Sequence, residues 1–378
     1  MVFKPINREE LDRAIEMHEV ELQSSCNGFV FKENDVHGGI NTWDVSNITD
    51  MSNLFKSKID FNSDISNWDM SSVETTEGMF SKCKFFDQCL NSWDTSNIKN
   101  MKAMFDHAEN FNQPLDSWDT SSVINMDYMF KDATSFNGNI TNWDTSKVES
   151  MKNMFYNSDK FNQPINSWNT SKVETMAYMF YGATSFNQPL YSWNTSKVKN
   201  MRGMFEGAET FNQPLDSWDT SKVEDMSSMF YGATSFNQPL NSWNTSKVEY
   251  MSGMFEGAEI FNQHLDSWDT SKVEDMRGMF KRCKSFNKPL GSWDTSKVEN
   301  MSFMFKDAES FNQPLDSWNV GRVENMDCMF DSAKNFNQPL YSWDTSKVKY
   351  MRTMFTDTKN FCQDLSFWDT SNVKSMYY

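Results

Sequence analysis

The sequence predicts an α/β solenoid of about fourteen coils of 25 residues, each with a short parallel strand and a short helix, after an N-terminal capping helix. Three observations lead to this prediction. All fourteen Trp, from Trp43 to Trp368, lie 25 residues apart without an insertion. Apolar residues recur at fixed places in each repeat, and one stretch of the repeat has helical spacing. A fixed period of this size is typical of solenoids, because one repeat alone cannot bury its apolar side.

Residues 211–235, FNQPLDSWDTSKVEDMSSMFYGATS, serve as the model repeat, and each repeat position takes its number from this stretch. Residues 36–378 hold thirteen full repeats and a truncated fourteenth. Position 215 is Leu or Ile and position 223 is Val or Ile in all fourteen repeats, and position 230 is Phe in all thirteen that reach it. Positions 226 and 229 hold 25 of the 28 Met. We therefore expect these five positions to form the core.

Helical spacing is found in the second half of the repeat. Val223, Met226 and Phe230 fall on one side of a helix of about ten residues, with Ser221 as its N-cap. Glu224 lies three residues after Ser221, as in a capping box.

The first half of the repeat predicts a short parallel strand on residues 217–220. Leu215 and Trp218 differ by three positions, so a bend must separate them if both point inward. Eight of the nine Pro occupy position 214, where a residue without an N–H cannot donate to a central ladder, so the strand begins after it. Trp218 and Thr220 then face inward, and the indoles of successive coils form a ladder that dominates stability.

Residues 1–35 predict an N-terminal helical cap over the first coil of the repeat region, residues 36–378. Asn7 is suited to cap this helix with Glu10 at position N3, and Leu11, Ala14 and Ile15 lie on one face. Such a lid protects the apolar end of a repeat array.

No matching lid is visible at the other end, where the sequence stops at Tyr377 and Tyr378. Two interpretations remain open. The two Tyr shield the last coil, or this uncapped end contacts a partner or a second copy of the chain. Both residues are therefore candidate partner-binding residues, and self-association is a possible use of this end.

Position 222 is the main candidate for a binding surface because it is basic in nine consecutive repeats. We call these residues the basic row: Lys147, Lys172, Lys197, Lys222, Lys247, Lys272, Lys297, Arg322 and Lys347. A regular cationic row could guide an anionic partner. The alternative is a solvated face whose charge is offset by Glu at position 224, which is present in eight repeats.

Other repeated groups have a metal interpretation and a structural one. Met-x-x-Met pairs could bind Cu(I), but both Met positions share the inward side with Val and Phe, which favours core packing. Position 219, Asp in ten repeats and Asn in four, could bind Ca²⁺, but exchange with Asn favours hydrogen bonding to the backbone. Position 212, mostly Asn, is interpreted as a ladder that satisfies loop amides. We therefore expect neither a metal nor a cofactor.

Composition and motifs exclude several function classes. The chain has 35 Lys and Arg against 52 Asp and Glu, a net charge of −17, which argues against nucleic-acid binding. No apolar stretch is long enough to span a membrane. The six Cys fall at unrelated positions, which points to reduced thiols. No Ser/His/Asp or Cys/His motif and no phosphate loop is present, so we expect no enzyme activity.

The recurring string FNQPLxSWxTSKVExMxxMFxxA strongly resembles the repeats of BspA-like surface proteins, a family found in bacteria, protists and large DNA viruses. This resemblance covers residues 36–378 and implies a leucine-rich-repeat-like solenoid used for attachment or protein binding. The chain differs from bacterial surface members because it shows no signal peptide, lipoprotein Cys or wall anchor, so a cytoplasmic or virion-associated location is expected. The predicted function is a non-catalytic binding scaffold for an unidentified protein. The alternative is a structural component of a virion or surface layer.

Overall fold

The computed structural model describes residues 2–26 and 37–375. The chain divides into two compact units, Met1–Lys172 and Val173–Tyr378. In the described residues, regular secondary structure consists of helix α1, Arg8–Cys26, and a single 3₁₀ turn, Ile40–Thr42. The coils themselves are built from turns, and no helix among the described residues is long and apolar enough to cross a membrane.

Each coil pairs with its neighbour through one bridging residue, at position 225. The bridges are parallel, as predicted, and run from Asp50 to Ser150 in the first unit and from Thr175 to Ser375 in the second. The predicted strand on residues 217–220 is wrong. Trp218 N–H donates to the Leu215 carbonyl at 3.2 Å, so this segment is a tight turn whose amide is not free for a ladder.

The predicted helix in each coil is also wrong. Ser228 and Gly232 have left-handed backbone conformations, with φ of 55° and 66°, which a right-handed helix cannot include. Phe230 N–H donates to the carbonyl of Met254 in the next coil at 2.8 Å, whereas Met229 N–H donates to the Met226 carbonyl at 3.2 Å. Turns of three residues thus place the Met and Phe side chains inward at the same spacing that a helix would.

The predicted Trp ladder is confirmed from Trp93 to Trp168 in the first unit, and from Trp193 to Trp318 and between Trp343 and Trp368 in the second. The rings of Trp218 and Trp243 stack with centroids 6.5 Å apart and an interplanar angle of 1°. Trp218 is 3% exposed, and its Nε1–H donates to the Leu190 carbonyl at 3.1 Å. Phe at positions 211 and 230 forms two further ladders, as at Phe230 and Phe255, whose centroids lie 5.7 Å apart. The core is therefore three parallel stacks of aromatic rings.

Side-chain ladders satisfy the backbone between the turns. The Oδ1 of Asn187 accepts from the N–H of Asn212 and from Nε2 of Gln213, both at 3.0 Å, which confirms the predicted Asn ladder. Thr220 is buried as predicted, and its hydroxyl donates to the Asn244 carbonyl in the next coil at 3.0 Å. These bonds replace much of what a strand ladder would supply.

Helix α1 lies against the first coil, as the predicted cap requires. Asn7 Oδ1 accepts from the Glu10 N–H at 3.0 Å, which confirms the N-cap. Arg8 donates to the carbonyls of Asp50 and Ser52 at 3.0 and 2.9 Å. Among residues 8–20 of this helix, the buried ones are Leu11, Ala14 and Ile15. The last part of the predicted cap, residues 27–35, falls outside the described residues.

Candidate functional site

The basic row lies on the surface of both units. All nine side chains are exposed, Lys147 and Lys172 in the first unit and the other seven in the second. The local fold turns each of them outward, because Val223 on one side is buried and Ser221 on the other forms part of a tight turn. The structure therefore brings the seven cations from Lys197 to Lys347 to equivalent outer positions of consecutive coils.

Cations elsewhere on the coils pair with carboxylates one repeat away. Lys199 Nζ lies 2.9 Å from Glu174, and Lys284 Nζ lies 2.7 Å from Glu259. In the basic row the neighbour one repeat away is another cation, so this kind of pair cannot form. None of the nine has a carboxylate within 4.0 Å among residues 2–26 and 37–375. The basic row is therefore a cationic surface without close ion pairs in the described residues, although Asp at position 219 of the same coil attracts its lysines at longer range, as Asp219 does Lys222.

Position 224 does not neutralise the basic row by direct contact. Glu174 at this position bonds to Lys199, and this bond is the main cause of its lowered pKa. Lys197 and Lys222 also lower the pKa of Glu174, by a weaker long-range attraction. The offset predicted from the sequence is therefore present only as a diffuse field, which salt screens.

Position 219 has the backbone role that the sequence favours. Asp219 Oδ1 accepts from the Ser221 N–H at 2.9 Å, and Asn244 does the same for Ser246 at 3.1 Å. Bonds from the Ser221 hydroxyl and amide lower the pKa of Asp219. Ser221 thus donates to a turn and is not a helix N-cap, and the carboxylate of Asp219 already has partners.

The repeated Met side chains lie in the core, and so do two of the five described Cys. Met226 and Met229 are 0% exposed among the aromatic ladders. Cys83 and Cys283 replace the small residue at position 233, and the Cys283 thiol donates to the Phe255 carbonyl at 2.8 Å. Burial raises the pKa of Cys83 to about 12 and that of Cys283 well above its usual value. Reactive thiolates are therefore disfavoured at both sites.

The candidate residues Tyr377 and Tyr378 lie outside the described residues. The coil before them is more open than the inner coils: Leu365, Trp368 and Val373 are only half-buried. The equivalent residues of an inner coil, Leu215, Trp218 and Val223, are 0–3% exposed. An apolar face is thus accessible on the last described coil.

The outer turn of each coil carries a second set of charged residues, which sequence reasoning missed. Position 231 is Lys, Ser, Asp, Tyr, Glu or Thr in different repeats, so counting by position showed no pattern. In the first unit, His107 Nδ1 and Nε2 lie 2.7 and 3.2 Å from carboxylates of Asp106 and Asp132. Their oxygen and nitrogen atoms are close enough to hold a metal ion. Lys131, however, bonds to Asp132 and lies 3.7 Å from Asp106, so a cation already occupies this cluster.

In the second unit, Glu206 differs from the other charged residues at position 231, which form ion pairs, because no hydrogen bond or ion pair of its carboxylate is found in the described part of the chain. Burial raises the pKa of Glu206 to about 7, with Arg202 lowering it and Glu256 raising it further. Carboxyl groups with a pKa raised this far are common at functional sites.

Comparison with known proteins identifies the repeat. The family described as "Mycoplasma protein of unknown function, DUF285" matches residues 24–143, 111–217, 133–241, 210–306 and 288–378. No curated protein matches the chain. Among solved structures, a chain of the "Crystal structure of TLR13-ssRNA13 complex" matches with a TM-score of 0.20 and 8% identity, over 90% of this chain. This chain spans 59% of the length of that one.

Proposed function

Since the chain belongs to the family described as "Mycoplasma protein of unknown function, DUF285", we propose that it is a non-catalytic scaffold that binds another protein. The residues that match this family fold into coils of 25 residues. The observation that carries the proposal is the basic row, because its exposed cations form no ion pair with any of the described residues. We also propose that it is a BspA-like attachment protein with a leucine-rich-repeat-like solenoid.

The repeated residues support a scaffold because their side chains are used by the fold. Trp218, Met226 and Phe230 are buried, Asp219 and Asn212 bond to backbone amides, and Thr220 bonds to the next coil. The basic row is the exception, since it recurs and yet has no carboxylate within 4.0 Å in the part of the chain that the structure describes. Its regular spacing suits a partner with several carboxylates along an extended surface.

The binding energy expected from the basic row is modest for each residue. An exposed ion pair contributes about 0.2–1 kcal/mol, so four or more engaged cations would contribute on the order of 1–4 kcal/mol. Such a contribution changes affinity by one to three orders of magnitude. It also predicts binding that weakens as salt rises.

The test compares two variants of the full chain with the same loss of charge. In the row variant, Lys197, Lys222, Lys247 and Lys272 are changed to Gln. In the matched control, the same change is made at four exposed lysines that already have a carboxylate partner: Lys199, Lys284, Lys334 and Lys349. Cross-linking capture from the native source should lose its partner in the row variant and keep it in the control. Equal capture by both variants, or no captured protein at all, would refute the proposal.

A structural role is the second candidate, and the half-buried Leu365, Trp368 and Val373 favour it. Here copies of the chain would assemble end to end or laterally, in a virion or a surface layer. Sedimentation at increasing concentration should then show larger species, and Trp368→Ser should abolish them. A monomer at every concentration would exclude this role. A cytoplasmic or virion-associated location is part of the same proposal, and fractionation of the native source would test it.

A further inference from the structure

Charged residues at position 231 form ion pairs between successive coils. Glu256 and Lys281 occupy this position in successive coils, and their charged atoms lie 2.7 Å apart. Lys306 bonds to Asp331 in the next coil in the same way. In the second unit, both lysines at position 231 therefore have as their partner a carboxylate at position 231 of an adjacent coil.

Two of these lysines also contact an aromatic ring. Lys281 Nζ lies 5.7 Å from the centroid of Phe303, and Lys131 Nζ lies 5.4 Å from the centroid of Tyr156. Cations are attracted to ring faces at such distances. The outer turns thus build the same arrangement twice, with a lysine ammonium beside both a carboxylate and a ring.

Glu206 has the carboxylate and a ring of this arrangement without the lysine. Ring atoms of Tyr178 lie 2.5 Å from where a Cβ on Gly203 would be, and Glu206 Oε2 lies 3.1 Å from the same point. Tyr181 and Tyr231 occupy position 231 in the coils before and after Glu206. Gly203 has a φ of 57° and no side chain, so the ring and the carboxylate can share the space above it. We call these five residues the Glu206 cluster.

Nothing described in the chain neutralises Glu206 directly. The nearby Arg202 has its contact with Asp225, at 4.0 Å. Tyr231 is 37% exposed, so the cluster is open to solvent on this side. A positive group entering here would meet a half-buried carboxylate and an aromatic ring, which together bind an ammonium better than water-exposed carboxylates do.

We propose that the Glu206 cluster binds a lysine side chain of a partner protein, with the ammonium beside the Glu206 carboxylate and the ring of Tyr178. This inference rests on the proposed protein-binding function and adds a second contact, of opposite charge to the basic row. Lysine is favoured over arginine because both filled examples, Lys131 and Lys281, are lysines.

The first test fills the cluster from within. Tyr231→Lys places a lysine next to Glu206 and Glu256, in the relation that Lys281 has to Glu256. The pKa of the Glu206 carboxyl, followed by NMR on protein with ¹³C-labelled Glu, should then fall by one unit or more. Tyr231→Gln is the control for loss of the ring. If the two variants leave Glu206 with the same pKa, the cluster does not accept an ammonium and the proposal is wrong.

The second test uses peptides as probes for the full chain. The peptide acetyl-Gly-Lys-Gly-amide should shift the Glu206 signal on titration, and the same peptide with an Nε-acetylated lysine should not. Glu206→Gln should weaken binding about tenfold, as loss of one charged contact predicts, whereas the exposed control Glu224→Gln should not. Equal binding by the two variants would refute the proposal. Tighter binding of an arginine peptide, or binding of spermidine but not the lysine peptide, would overturn the lysine assignment.

These measurements use no protein from the native source. A negative titration therefore refutes the lysine site without changing the result of the capture test for the basic row. A failed capture refutes the proposed role of the basic row without changing the titration.

Discussion

Trp218→Ala removes one indole from the middle of a stack, and its cost can be worked out from three contacts. The side chain is 3% exposed, so the change uncovers on the order of 150–250 Å² of mostly apolar surface, about 4–6 kcal/mol at 25 cal/mol per Å². The Nε1–H donor to Leu190 is lost, and so are ring contacts with Trp193 and Trp243 at 6.4 and 6.5 Å. Partial collapse of the cavity offsets some of this loss, so we expect about 3–5 kcal/mol.

The matched control is Trp368→Ala at the last described coil. Trp368 is half-buried and stacks on Trp343 with centroids 6.0 Å apart. We therefore expect half the cost of Trp218→Ala or less. Urea unfolding followed by the remaining Trp fluorescence measures both, and hydrogen exchange shows whether the loss stays in neighbouring coils, as nearest-neighbour stability predicts. A cost below about 1 kcal/mol for Trp218→Ala, or equal costs for both variants, would show that the stacked indoles are not the main source of stability.

Three further predictions concern single polar side chains. Thr76→Val should stabilise the fold by about 1 kcal/mol, because the buried Thr76 hydroxyl has no hydrogen-bond partner among the described residues. Thr220→Val should destabilise it by about as much, because the Thr220 hydroxyl donates to the next coil. The melting temperature should therefore rise in the first variant and fall in the second. Glu206→Gln should raise the melting temperature at pH 8 but not at pH 4. The pKa of the Glu206 carboxyl is raised to about 7 in the folded state, so the protein with Glu206 loses stability as pH rises from about 4.5 to 7. An equal shift of the melting temperature at both pH values would contradict this prediction. A maleimide should label the exposed Cys89 quickly and Cys283 only after unfolding, as mass spectrometry of peptides would show.

The core positions could be predicted because the period is strict. Leu215, Trp218 and Val223 recur without insertion, so any inward residue stacks on its own kind in the next coil. The Trp ladder, the buried Thr220 and the backbone role of Asp219 all follow from this regularity, and the structure confirms them. The cap by α1 was equally visible, because Asn7 and the apolar face after it are local signals.

The helix could not be distinguished from the turns that take its place. Val223, Met226, Met229 and Phe230 face inward in both, since each arrangement advances the chain by about three residues per inward position. What separates them is the left-handed backbone at Ser228 and the bond from Phe230 N–H to Met254, 24 residues away. Neither leaves a mark in the local pattern, and Ser, Tyr, Phe and Thr occupy position 228 as well as Gly.

The charged residues could likewise be predicted only in part from the sequence. The basic row was visible because one charge recurs at one position, and for the same reason its members have only like charges as neighbours along the row. Glu206 was missed because its position varies, and its raised pKa depends on burial in the fold and on charges at Arg202 and Glu256. In the second unit, a carboxylate at this position gains or lacks a cation according to the residue in the adjacent coil.

The amino-acid order alone thus determined the repeat, its period and the residues that are buried, because these depend on the apolar side chains within one coil. Only the tertiary structure decided how the backbone satisfies its hydrogen bonds and which charges remain without a partner. The physical reason is that most of those partners belong to the next coil, so their identity depends on how the coils stack.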